Sequence, residues 1–390
     1  MAKHPESMVA STISRLLASC LVLMSAGMPT AAATGINDTK IVFGQSACFS
    51  GPNERLGWNY QAGILAAFRE RNIRGGVNGR SLELVSLDDA YEPDQAAANA
   101  ERFASENNVF AVIGGVGTPT AKRIAPVLRT AKIPFVGPFT GAAFLRNAER
   151  FPNVINLRAG YLDETRVLVD HILRGRGKSR LGIIYQDDAF GRSVLRNYKT
   201  VLDGHDIPIL AKTAFSRNTH AVQATLFALD KADLDAILIV GTYASNAEII
   251  NLAHSLGHKY ITANLSFVLS YELKKRIDAP NDRILVTEVM PDANNTNRQV
   301  VRKFQRALGA EYGQQAGAVQ MVNEVALEGY ILGRFVIAVL ERMGEQLTRE
   351  HFMEQALSSG PIAIDDWTLE FKPGTNTGSS YVRLIDLGGE

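Results

Sequence analysis

From Thr39 onward the chain alternates short apolar runs with longer amphipathic ones, and that alternation leaves few folds open. Ile41-Val42-Phe43-Gly44 reads as a strand, and Leu56 to Asn72 as a helix with Leu56, Tyr60, Gly63, Ile64 and Phe68 along one stripe. Leu82 to Leu87 is the next strand. Pro93 to Glu106 is the next helix, with proline in its first turn, where helices tolerate it. Strands at Val109–Ile113 and Ile133–Val136 flank a helix over Thr120–Thr130. Repeated βα units of this length predict a parallel sheet covered by helices on both faces.

A second series follows. Asn153–Leu157 leads into a helix from about Asp163 to Arg174, and Leu181–Tyr185 is a strand ending in Gln186-Asp187-Asp188-Ala189-Phe190-Gly191. Strands at Pro208–Lys212, Ala236–Val240 and Tyr260–Thr262 alternate with helices near Arg192–Leu202, Val222–Leu229 and Ser245–His254. At 390 residues the chain is long for one core. The expected fold class is therefore α/β, with two doubly wound parallel-sheet lobes and a cleft between them. After Ile284–Thr287 the pattern changes to two strong helices, Arg298–Tyr312 and Met321–Met343. Trp367–Phe371 and Tyr381–Ile385 then alternate with period two around Pro373-Gly374-Thr375-Asn376, which predicts an antiparallel hairpin.

Charge and composition narrow the function. A formal charge of +1, with no basic stretch interleaved with aromatics, argues against nucleic acid as a partner. Lys3, His4 and Arg15 precede an apolar stretch from Leu16 to Met28 and then Ala31-Ala32-Ala33, the pattern of a secretory signal peptide over residues 1–33. No later segment reaches the ~18 apolar residues that a membrane-spanning helix needs. Leu17-Ala18-Ser19-Cys20 resembles a lipidation signal, but most of the apolar core follows Cys20, so a cleavable signal and a periplasmic location are expected. Cleavage after Ala33 leaves Cys48 as the single thiol, which excludes an internal disulfide and points to a packing role.

Two loops carry most of the chemistry. Gly114-Gly115-Val116-Gly117-Thr118-Pro119-Thr120 follows the Val109 strand, and Gly137-Pro138-Phe139-Thr140-Gly141 follows the Ile133 strand. Ligands of open α/β sheets sit outside the carboxyl ends of the strands. Adjacent strand ends bearing hydroxyls and free N–H groups describe half of a small-anion site, for a carboxylate. The glycines of the first loop lack the spacing and the first-strand position of a dinucleotide loop. Asp88-Asp89, Asp187-Asp188 and Asp365-Asp366 read as solvated or capping acids, and the histidines are dispersed, so no metal or other cofactor is implied. No G-x-S-x-G, H-E-x-x-H or Walker loop is present, and catalysis is not expected.

Across almost all of the chain after residue 33, the sequence resembles the type I periplasmic solute-binding proteins, in particular the branched-chain amino-acid-binding group of ATP-driven importers. The marks are Phe43-Gly44-Gln45-Ser46, Ser50-Gly51-Pro52, Gly75-Gly76-Val77-Asn78-Gly79-Arg80, Asp88 to Pro93, the two loops above, Tyr185 to Gly191, and Asn264-Leu265-Ser266-Phe267. The resemblance implies three hinge crossings, near Asn156–Ala159, Thr287–Pro291 and Pro361–Asp365. Lobe one would hold 34–157 plus 288–362, and lobe two 158–287 plus 363–390. Binding would close the cleft by a hinge motion.

Carried over by position, the resemblance implies that Thr118 receives a ligand carboxylate and that Thr120 begins the helix whose N-terminus favours an anion. Phe139 would offer its carbonyl to an amino group, and Phe190 and Tyr243 would line the side-chain pocket. Gly141 stands where the family has a threonine, with Thr140 adjacent as its substitute. Ser266 falls near the acid that leucine-binding members use for the ammonium. An acid from elsewhere, Asp188 or Glu164, would have to replace it. The carboxylate end is kept and the amine end altered, so amino acids, aromatic acids and other small carboxylic acids are all candidate ligands. The implied partners are that ligand and the membrane permease of an ABC importer, with the protein itself a monomer. Signalling through a membrane receptor is the alternative role.

Overall fold

A computed structural model describes residues 35–388 except 220, 230, 279–282 and 314–320. The expected signal segment and Cys20 lie outside the described residues. In chain order the first series comprises β1 (Lys40–Ala47), α1 (Glu54–Asn72), β2 (Ser81–Asp88), α2 (Pro93–Glu106), β3 (Ala111–Ile113), α3 (Thr118–Thr130), β4 (Phe135–Val136) and β5 (Val154–Ile155). Its strands form one sheet in the order β2-β1-β3-β4-β5, every pair parallel.

The second series comprises α4 (Tyr161–Asp170), β6 (Leu181–Gln186), α5 (Ala189–Asp203), β7 (Ile209–Phe215), α6 (Gln223–Phe227), β8 (Ala236–Val240), α7 (Tyr243–Ser255), β9 (Ile261–Asn264), α8 (Ser270–Arg276) and β10 (Ile284–Glu288). The chain ends with α9 (Gln299–Tyr312), α10 (Glu324–Met343), α11 (Arg349–Leu357), β11 (Ile362–Ile364), β12 (Trp367–Leu369) and β13 (Arg383–Asp386). The second sheet runs β13-β10-β9-β8-β6-β7, with β13 the one antiparallel member. Both sheets therefore reverse their winding beside their first strand, between β1 and β3 and between β6 and β8. Those are the crevices where doubly wound sheets take ligands.

Burial explains why the strands were legible. All five residues of β8 are buried, as expected of a strand covered on both faces. Helix α2 starts at Pro93 and stops at Asn107, which adopts a left-handed conformation. Helices α1 and α10 cross at van der Waals contact because each brings a glycine to the crossing. A Cβ on Gly63 would lie 1.9 Å from the Ala326 carbonyl, and one on Gly329 2.2 Å from the Tyr60 carbonyl.

The C-terminal region departs from the expected hairpin. Strand β12 pairs with β11, antiparallel, and β13 pairs with β10. A two-residue turn at Asp365-Asp366, with Asp365 at φ +58°, closes the shorter hairpin locally. Its carboxylates are held by Arg298 at 2.6 Å, by Lys303 and by Arg334 at 3.5 Å. A short loop closed by a tight turn costs less entropy than the long loop expected from periodicity. The hairpin runs from Ile362 to Leu369, over the crossing expected at Pro361–Asp365, and Phe371 just beyond it packs on Phe335 of α10 at 5.9 Å. Between β12 and β13 the chain crosses toward the second sheet. There Asn156 N–H donates to the Asn376 carbonyl at 2.7 Å, and Gly378 N–H to the Asn156 carbonyl at 2.9 Å.

Candidate functional site

The two glycine-rich loops continue the pairing of β3 and β4 beyond their ends. Phe139 N–H donates to Gly115 O at 2.7 Å, and Gly117 N–H to Phe139 O at 3.2 Å. The Phe139 carbonyl, implied as a ligand acceptor, thus already accepts one backbone bond. The pairing sets the Thr118 and Thr140 hydroxyls 2.7 Å apart, both buried. Helix α3 begins at Thr118, two residues earlier than expected, with Gly117 as its N-cap. Thr120 hydroxyl donates to the Gly117 carbonyl at 3.0 Å and also contacts the Val116 carbonyl. Its proton is committed to the backbone, and Thr120 shapes the helix start rather than offering a side-chain donor.

Gly141 has a packing reason. A Cβ there would meet Tyr161 N at 2.6 Å and Tyr161 Cδ1 at 2.5 Å, and the Gly141 carbonyl accepts from Tyr161 N–H at 2.9 Å. No threonine fits, because the first residue of α4 docks on this spot. Burial pushes the Tyr161 phenol up, while Arg158 and the Thr140 and Thr118 hydroxyls act the other way, so the four groups sit together.

From the second sheet come Phe190, in the first turn of α5, and Ser266 and Phe267, just after β9. Asp188 caps α5 by accepting from Phe190 N–H at 2.8 Å and Gly191 N–H at 3.3 Å. Burial raises its pKa, against the pull of those donors, of Gln186 and of Arg217. Phe267 lies 4.8 Å from Phe190, 5.4 Å from Phe139 and 6.0 Å from Tyr91, so its ring joins the two lobes. Tyr161 completes the cluster, 5.2 Å from Phe190. Tyr243 stands apart from these rings. Its hydroxyl accepts from Arg55 N–H at 3.3 Å, and the Arg276 guanidinium lies 4.7 Å over its ring.

The structure adds charges to this group. Arg158 lies 4.2 Å over the Phe139 ring and donates to the Ser266 hydroxyl at 2.5 Å. Its Nε is 3.6 Å from a Glu328 carboxylate oxygen. Burial works against the charge on Arg158, but Glu328 and Glu164 outweigh it and hold its pKa above the ordinary value. Burial pushes Glu328 up to about 7, with Arg158 opposing. Ser266 N–H donates to Glu164 Oε2 at 2.8 Å. Of the expected residues, Thr118, Phe139, Thr140, Gly141, Phe190 and Ser266 come together, while Thr120 and Tyr243 serve at the margins. Sequence reasoning passed over Arg158, Tyr161 and Phe267. The only signal was position: Arg158 and Tyr161 follow β5, and Phe267 adjoins Ser266. Among the described residues, no group of three His, Cys, Asp or Glu side chains is placed to hold a metal ion.

The profile of a family described as periplasmic binding protein matches residues 40–380, and the chain belongs to that family. The chain is 25% identical over 249 residues to Leu/Ile/Val-binding protein homolog 7 of Brucella abortus (strain 2308), a match spanning 61% of this chain and 61% of that relative. A crystal structure of a possible leucine/isoleucine/valine-binding protein from Rhodopirellula baltica SH 1 superposes with a TM-score of 0.84 at 29% identity, covering 92% of this chain and 96% of that one. A branched chain amino acid ABC transporter protein from Thermus thermophilus, solved with bound valine, shares the fold at TM-score 0.80 and 16% identity, covering 91% and 95%.

Proposed function

We propose that this chain is an extracytoplasmic substrate-binding protein of an ABC importer, exported by the signal segment at 1–33, which takes an amino acid or related small carboxylate between its lobes. The observation that carries this reading is the convergence of Thr118, Thr140 and Phe139 with Phe190 and Phe267, from the carboxyl ends of two separate sheets. Hydroxyls beside the start of α3 suit a carboxylate, and the rings suit an apolar side chain. The lobes divide near 157/158 and 287/288, and closure about those crossings traps the ligand. The printed names of the relatives, which refer to leucine, isoleucine and valine, support the same ligand class. The family is one of solute-binding proteins, and catalysis forms no part of the reading. The partner is the permease, with the protein acting as a monomer.

A thermal-shift screen of the mature protein against amino acids, aromatic acids and short aliphatic acids tests this. A ligand at a hundred times its Kd stabilises by about 2.7 kcal/mol, which stands out in a melt. No shift with any carboxylate overturns the reading.

A further inference from the structure

Away from the cleft aromatics, two glutamates meet at one serine. Ser270, the first residue of α8, sets its hydroxyl oxygen 2.6 Å from Glu288 Oε1 and 2.9 Å from Glu324 Oε1. Its N–H donates to the same Glu324 oxygen at 2.7 Å. The three residues come from parts of the chain that the fold otherwise keeps separate. Helix α8 follows β9 of the second sheet, and Glu288 ends β10, where the chain leaves that sheet. Glu324 opens α10, whose Gly329 packs on Tyr60 of α1 beside the first sheet. Ser270 and Glu288 are buried, and a cavity of about 170 Å³ lies against all three residues.

Proton counting decides what holds this contact together. A serine hydroxyl has one proton to donate, and an ionised carboxylate only accepts. With both glutamates ionised, one of the two contacts would set oxygen lone pairs against each other. Both are hydrogen bonds only if one carboxyl carries a proton and gives it to the serine oxygen, while the serine gives its own to the other. Arg383 of β13 donates from Nε to Glu288 Oε2 at 2.9 Å and again from Nη2, so the charge rests on Glu288 and the proton on Glu324. Around them stand Asp292, 4.0 Å from Arg383, Tyr271 and Lys274 of α8, which line the same cavity, and Glu328, one turn along α10. Burial and the neighbouring Glu324 push Glu288 up to about 8, a value that belongs to the pair, and Glu324 moves the same way.

We propose that Glu324, Ser270 and Glu288 form a proton-bridged latch between the lobes, which holds them together while one proton is bound and releases them when it leaves. The latch needs lobes that part, as in the reading above, but no particular ligand. In the parted state Glu324 meets water and titrates as an ordinary carboxylate. From the ordinary carboxylate range up to about 8, the closed form then binds one proton more than the open form. Over that range the closed-to-open ratio falls by about tenfold per pH unit. Above it both forms have lost the proton and the ratio levels off.

Spin labels on Arg123→Cys of α3 and Lys199→Cys of α5, both exposed, report the separation of the lobes by double electron–electron resonance, and the buried Cys48 stays unlabelled. The mature protein is measured without ligand from pH 5 to 9. The expected result is a shift from a short to a long distance as pH rises to about 8. Glu324→Gln should keep the short distance throughout, since no second charge forms there at any pH. A wild-type distribution that does not move with pH overturns the latch, and so does a Glu324→Gln distribution that moves as far as the wild type. Glu288→Gln removes the same second charge and takes the place of Glu324→Gln if that variant does not fold. The readout contains no ligand, so its failure leaves the substrate reading to the thermal-shift screen.

Discussion

Arg217 and Arg158 both carry a positive charge between the two sheets, but the structure uses them differently. Arg217, after β7, lies at the edge of the lobe contact, bonded to Glu92 at 2.5 Å and 3.6 Å from Asp188. Beside it, Asn218 donates to Glu92 at 2.6 Å and accepts from Asn53 at 2.7 Å. Arg217 and Glu92 are partly exposed and bind each other, while Asn53 and Asp188 behind them are buried. Arg158 lies in the interior, where water is excluded, and two of its nitrogens stay unmet. Edge bonds hold one lobe to the other and are weakened by solvent and salt. Interior charges cannot be hydrated, so any change there has a large effect.

The largest effect should come from Arg158→Met, which leaves Glu328 and Glu164 buried without their cation. Removing one partner of a buried pair costs about 3–5 kcal/mol, read by urea unfolding. A loss below about 1 kcal/mol would put Arg158 in the same class as the edge residues.

Next in size is the response to pH. Burial lifts Glu328 from the ordinary carboxylate range to about 7, so the folded state binds a proton that the unfolded state has released. Stability from this group is full below the ordinary carboxylate pKa and is lost as pH rises through about 7. At 1.36 kcal/mol per pH unit, that loss is on the order of 3 kcal/mol between pH 5 and 8. Burial raises Asp89 to about 7 and Glu288 to about 8, and both add to the slope. Glu328→Gln should remove only its own share, and an unchanged slope would refute its assignment as one of the titrating groups.

Smaller again, Thr118→Val should weaken binding of the screened ligand by about 1–3 kcal/mol, because a buried carboxylate loses a donor. Calorimetry showing equal affinity would remove Thr118 from the site. The smallest effect belongs to the edge. Glu92→Gln should cost only about 0.2–1 kcal/mol in affinity, and raising the salt should narrow the gap between variant and wild type. A loss as large as that of Thr118→Val would mean that edge and interior act alike.

Much of the fold was readable because burial writes its period into the chain. The fully apolar β8 and the proline at the start of α2 are local signals, and the structure follows them. Thr118 and Thr140 were readable because their loops follow β3 and β4. The C-terminal pairing was not, since periodicity marks strands without naming partners, and the tight turn at Asp365 decided for β11. Arg158 was harder still, and Glu164 stood out only as one of two acids, with Asp188, that could replace the missing one. A lone arginine or glutamate in a sequence carries no period. Their meaning comes from the docking of α4 on Gly141 and from Ser266, which lies more than a hundred residues away along the chain.

The backbone bonds between Asn156 and the segment Asn376–Gly378 have a mechanical consequence. Two strands that pass between the sheets are laced together, and both asparagine side chains donate to the Leu145 carbonyl, at 3.1 and 2.8 Å. A laced ribbon flexes across its width far more easily than it twists or slides. Lobes joined by it would part like the covers of a book along a spine, and the faces carrying Thr118 and Phe267 would return to the same register at each closing.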